Sequence, residues 1–105
     1  MDAPVNAASA LLEALAEGPS YGLELIGRVE RRTDGKLKLR HGSVYPALRS
    51  LERDGFVRSF RGESVPETAG RPRRYYELTA KGEKAATNQR KLISRLFRLA
   101  LGMPG

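Results

Sequence analysis

The chain has 105 residues, with 19 Lys and Arg against 12 Asp and Glu, a single His and neither Cys nor Trp. That length suits one domain burying roughly two-thirds of its unfolded surface, and the net charge of +7 makes a polyanion the first partner to consider. Without cysteine there is no disulfide framework, thiol nucleophile or cysteine metal site. With one His and singly scattered acids there is no nucleophile and base, carboxylate pair or metal set, so neither an enzyme nor a cofactor is expected.

The start, Met1 to Leu15, lacks the basic opening of a signal peptide, and no apolar run approaches a membrane span, so a cytoplasmic protein is expected. Pro4 suits the first turn of a helix running to about Glu17, with Val5, Ala8, Leu11, Leu12 and Leu15 on one face. Gly18-Pro19 stops it. Ser20 is placed as the N-cap of a second helix whose apolar stripe is Leu25, Ile26 and Val29, and Gly22 and Gly27 within it suggest close packing. Lys36 to Leu39 alternates polar and apolar residues and reads as a short extended piece.

The central stretch runs from Arg40 to Asp54. Val44, Ala47, Leu48 and Leu51 recur at the spacing that puts them on one helical face, which turns Tyr45, Pro46, Arg49 and Arg53 to the other. Ser43 is expected to cap this helix, with Pro46 tolerated close to its start. Its N-terminal dipole, beside Arg40 and His41, favours an anion, with phosphate the obvious one. Asp54-Gly55 ends the helix. Phe56 to Arg61 and Arg73 to Leu78 then read as two strands of a hairpin around a loop, Arg61 to Pro72, rich in Gly, Pro and Arg.

Thr79 caps a last helix from about Ala80, which Gly102 and Pro104 end. From Leu92 onward that helix is apolar on more faces than packing on one small domain requires, which asks for a second chain. Leu92, Ile93, Leu96, Phe97 and Ala100 are the expected interface, the plain alternative being packing on the first helix. The charge is uneven: residues 1–39 hold five Lys and Arg against six acids, whereas residues 40–74 hold eight Arg and no Lys against four acids. Arg forks onto phosphates and guanine edges as Lys cannot, so this bias suits nucleic acid.

The expected fold is thus mainly α with a small β-hairpin: a winged helix-turn-helix over residues 1–79 and a C-terminal dimerisation helix over 80–105. S-Y-G-L-E-L at Ser20 to Leu25, H-G-S-V-Y-P-A-L-R-S-L-E-R-D-G-F-V at His41 to Val57 and G-R-P-R-R-Y-Y-E-L-T-A-K-G at Gly70 to Gly82 together resemble the PadR family of bacterial transcriptional regulators. The resemblance covers nearly the whole chain and is to the short members, with a single C-terminal helix. It implies a homodimer that represses genes by binding double-stranded DNA, in several members under control of a small-molecule effector. Some members hold a flat aromatic drug between tryptophans at the dimer centre, and this chain has no Trp with which to do so.

The expected DNA contacts follow. Arg49 points from the central helix at a base edge or phosphate, against the alternative of a solvated residue. Arg40, His41 and Ser43 stand at the mouth of that helix, where His41 has a capping or solvated role as its alternative. Tyr45 either bonds a phosphate or packs on the wing, and Arg53 is expected in a salt bridge. Ser20 and Tyr21 open the second helix, whose free N–H groups suit a phosphate. Arg71, Arg73 and Arg74 flank the hairpin tip, and alternation places Arg73 and Arg74 on opposite faces. Tyr75 and Tyr76 alternate likewise, so one belongs to the core. The rival reading is a winged helix that contacts protein or RNA, but no RNA-recognition aromatic motif is present.

Overall fold

The computed structural model describes residues 6–64 and 72–102. The elements are α1 (Ala7–Leu15), β1 (Ser20–Tyr21), α2 (Gly22–Arg32), α3 (His41–Arg53), β2 (Val57–Ser64), β3 (Pro72–Leu78) and α4 (Ala80–Ala100). The strands form one antiparallel sheet in the order β1-β3-β2. Four helices and this sheet enclose a core in which Leu11, Leu25, Val44, Leu48 and Val57 are fully enclosed. Among the described residues no helix is long and apolar enough to cross a membrane.

Helix α1 starts at Ala7, because the Asn6 side chain accepts from the Ser9 N–H at 2.9 Å and supplies the cap. Pro4 and Val5, expected in its first turn, lie outside the described residues, as does Pro104 at the other end. Ser20 does not cap α2. It pairs with Tyr76 as a strand residue, its side chain is fully buried and its hydroxyl donates to Glu24. Tyr21 occupies the cap position without a side-chain bond. Two residues of strand are too few to show a period, so the third strand could not be read locally.

The expected close packing holds at Gly22, where an added Cβ would lie 2.5 Å from the Tyr45 hydroxyl oxygen. It does not hold at Gly27, where the one neighbour within 4 Å is the movable Arg31 guanidinium at 3.3 Å. Lys36 to Leu39 forms no strand. Leu37 and Leu39 pack against the core instead, and the Thr33 hydroxyl accepts from the Leu37 N–H at 3.0 Å.

Helix α3 begins two residues before Ser43, so that residue sits inside the first turn rather than capping it. Arg40 is the cap by backbone alone, its carbonyl accepting from Ser43 and Val44 N–H at 2.9 and 3.0 Å. The entry angle is set by Leu39 and Val44, which occupy the two staple positions around the cap and both pack in the core. Pro46 is consequently the sixth helical residue, far enough in to delete one backbone bond to Gly42. The predicted periodicity stands: Val44, Leu48 and Leu51 are buried, while Tyr45, Pro46, Arg49 and Arg53 are exposed.

Strand β2 runs on to Ser64, past the expected end at Arg61, with the register shifting between Arg61 and Ser64. Thr79 caps α4 as expected: its hydroxyl accepts from the Gly82 N–H at 3.1 Å and donates to the Gly55 carbonyl at 2.6 Å. The first half of α4 is anchored by buried Gly82 and Ala86 and by Gln89, whose amide donates to the Ser9 carbonyl at 3.0 Å. Glu13 of α1 adds ion pairs to Arg90 of α4 at 3.2 Å and to Arg32 of α2 at 3.5 Å. From Ser94 onward every described residue of the helix is exposed, and it runs out past the domain, stretching the molecule to 54 × 29 × 21 Å.

Candidate nucleic-acid interface

The α3 helix buries Val44, Leu48 and Leu51, which leaves Arg40, His41, Ser43, Tyr45 and Arg49 on the solvent side. No acidic residue lies in its first turn and no side chain caps it, so the positive end of the dipole faces outward uncompensated. Gly42 stands there with open space around the position a Cβ would take. The His41 and Tyr45 rings lie 6.2 Å apart. Tyr45 does not pack on the wing, the structural role expected of it: its ring lies over Gly22 at the start of α2, and 37% of the residue remains exposed. Arg53 pairs with Asp54 at 3.4 Å, the salt bridge expected of it.

The sheet sorts the basic residues of the hairpin. Cross-strand partners share a face, so Val57 with Leu78, Ser59 with Tyr76 and Arg61 with Arg74 lie on the side that packs toward the core and α3. Arg58, Phe60, Arg73, Tyr75, Glu77 and Tyr21 lie on the other. Arg73 and Arg74 are therefore separated, as the alternation requires. Arg73 is stacked over the Tyr21 ring at 4.2 Å, and Tyr21 in turn meets Tyr75 edge-on at 5.5 Å. Phe60 stacks on Tyr75 at 5.6 Å and completes an aromatic ladder that stiffens the outer face.

Arg74 takes the opposite side. Its Nη1 donates to the Ser59 hydroxyl at 2.9 Å, and that hydroxyl donates to the Glu52 carboxylate on α3 at 2.6 Å. Tyr76, the tyrosine of the pair that enters the core, sits beneath this cluster. Burial raises its phenol above the ordinary tyrosine value; Glu52 and Tyr45 push the same way, while Arg74 and Arg49 oppose them. Glu52 lies three residues beyond Arg49 on α3, so the bonds from Arg74 through Ser59 reach the helix face that Arg49 shares.

The structure does not bring all the sequence-predicted residues to one surface. Ser20 is withdrawn, since its fully buried side chain has no surface to offer. Arg71 lies outside the described residues. Tyr21 turns its ring to the aromatic face. Sequence reasoning missed Arg61, Ser59, Glu52 and Gly42. Continuing the period of two from Val57 through Ser59 reaches Arg61, the residue expected to end the first strand and open the loop.

A family model for the transcriptional regulator PadR-like family matches residues 11–88. A transcriptional regulator from Clostridium thermocellum is similar at 29% identity and a TM-score of 0.71, over 90% of this chain and 88% of its own. A PadR-like transcription factor from Bacteroides fragilis is similar at 26% identity and a TM-score of 0.72, over 90% and 86%. The circadian clock associated protein Pex from Anabaena is similar at 26% and 0.66, over 90% and 80%. No curated protein matches the sequence significantly. The family match extends from the middle of α1 through the helices and hairpin into α4, and with the fold shared by these regulators it shows that the chain belongs to the PadR-like family of transcriptional regulators.

Proposed function

We propose that this DNA-binding regulator is a cytoplasmic homodimeric repressor. Each subunit would set the N-terminal half of α3 into a major groove, with Arg40, His41, Ser43, Tyr45 and Arg49 as the contacts, and lay the α3 side of its wing on the flanking backbone. The observation that carries this reading is the common exposure of Arg49 on α3 with Arg61 and Arg74 on the sheet face that packs against α3. It favours Arg74, rather than Arg73, as the wing's phosphate contact. Tyr21 is kept for the backbone at the start of α2, and Arg71 for the wing tip.

In this reading residues 1–79 bind DNA and residues 80–105 dimerise, so the operator is an inverted repeat with half-sites about 34 to 36 Å apart, or a multiple of that. Repression follows from blocking polymerase. Release follows when a small-molecule effector changes the angle between subunits across α4 and spoils the spacing.

Selection from a random duplex library, at moderate salt with competitor DNA, tests the proposal, because a basic protein binds any DNA when salt is low. Enrichment of an inverted repeat supports it. A folded protein that enriches nothing would turn the interface over to a protein or RNA partner instead. On the enriched duplex, Arg49→Ala is expected to cost about 1 to 3 kcal/mol and to relax preference at one base position. A uniform loss on all sequences would make Arg49 a phosphate contact.

Gly42→Ala separates folding from binding. Its Cβ meets nothing within the protein, so the chain should gain about 0.5 to 1 kcal/mol of stability from the lost backbone freedom of the unfolded state. Where α3 enters a groove by this end, the same methyl meets the DNA backbone and weakens binding on every sequence. Thermal unfolding and a duplex titration on one preparation read both effects, and unchanged affinity would remove the α3 N-terminus from the interface.

A further inference from the structure

The hydrogen bonds from Arg74 through Ser59 to Glu52 form the one described side-chain chain joining the wing to α3, and they run between two elements that must touch the same duplex. Arg74 stands directly across from Arg61, and like charges in register repel. Left alone, the long Arg74 side chain would swing away from its neighbour and sample many rotamers. Ser59 holds it. The hydroxyl gives its single proton to Glu52, which leaves its lone pairs turned to the Arg74 Nη1. That bond uses one of five guanidinium donors, so the others remain available to a phosphate.

We infer that Ser59 and Glu52 are positioning residues: Glu52 orients the Ser59 hydroxyl, which fixes Arg74 relative to α3 for contact with the DNA backbone. The inference rests on the proposed placement of the α3 side of the wing on DNA. An acid beside a DNA-binding surface repels phosphate, so its neutralisation should tighten binding if charge is all it contributes. If Glu52 positions Arg74, removing its carboxyl group, charge and acceptor together, loosens binding.

The test measures equilibrium binding of the full chain to a mixed-sequence duplex, across a salt series, for Arg74→Ala, Ser59→Ala, Ser59→Thr and Glu52→Ala, together with Ser59→Ala and Glu52→Ala in the Arg74→Ala background. Arg74→Ala should weaken binding and lower the salt slope by about one. Ser59→Ala and Glu52→Ala should each weaken it by about fivefold, the effect of one net hydrogen bond, and should add nothing once Arg74 is gone. Ser59→Thr keeps the hydroxyl and should restore native affinity, which a general defect in the strand would not.

Tighter binding by Glu52→Ala, or losses that add to that of Arg74→Ala, would overturn the relay while leaving the wing contact intact. Native binding by Arg74→Ala would overturn the wing contact and the relay with it. The two failures are therefore distinct.

Discussion

Leu96→Glu is expected to give a folded monomer that binds the operator at least about a hundredfold more weakly than the native chain, because in the proposed dimer two linked half-site contacts would be lost as a unit. The side chain is 48% exposed on the single chain, so glutamate there meets water and leaves the fold intact. Its neighbours explain the assembly cost. Leu92, Leu96 and Leu99 make one stripe along α4, and Ile93, Phe97 and Ala100 the next, with Phe97 and Leu99 both 64% exposed. Of the alternative packing on α1, Ile93 lines a groove with Ser9 and Glu13 and Phe97 borders one with Glu13, which leaves Leu92, Leu96 and Ala100 turned away from α1. An apolar face of this breadth on a helix running out beyond its own domain is what a second copy would cover. Sedimentation and circular dichroism give the oligomeric and folded states, and a duplex titration gives affinity. A monomer that binds tightly would sink the dimer reading.

The second large effect concerns the root of that helix. Gly82→Ala is expected to cost about 3 kcal/mol, the upper end of what forced overpacking does. A Cβ at Gly82 would stand 1.9 Å from the carbonyl oxygen of Phe56, and backbone cannot swing aside as a side chain can. The same carbonyl accepts from the Thr79 N–H at 3.0 Å, so moving it also disturbs the turn into α4. Urea unfolding gives the loss directly. Gly102→Ala is the control: its φ of +70° costs about 1 kcal/mol of strain, yet nothing lies near its Cβ. Equal stability of Gly82→Ala and the native chain would show that α4 can be displaced at its start, and with it the direction in which its exposed apolar face points.

What was legible locally follows from short-range physics. The face of α3 could be read because a period of 3.6 over thirteen residues repeats often enough to separate Val44, Leu48 and Leu51 from Arg49 and Arg53. Thr79 could be read because a cap bonds only three residues ahead. The division of Tyr75 from Tyr76 and of Arg73 from Arg74 follows from the pleat, which holds whatever the strand packs against. The surplus of apolar residues after Leu92 needs only a count. These features, with the three motifs, were enough to identify the winged helix and its family.

The rest depended on partners distant in the chain. Ser20 has the chemistry of a cap, but burial beside Tyr76 made it a strand residue, and a hydrogen-bonding edge 56 residues away leaves no local mark. Lys36 to Leu39 has the alternation of a strand without a neighbouring strand to bond, so the core took its leucines instead. Gly22 and Gly27 look alike in sequence, and only the approach of Tyr45 distinguishes them. Alternation separates Arg73 from Arg74, but packing against α3 decides which one shares its side of the molecule. By itself the sequence determined which elements form and which of their faces are apolar, because those preferences act within a few residues. Tertiary structure alone decided which polar faces meet, because that requires burying one particular element against another.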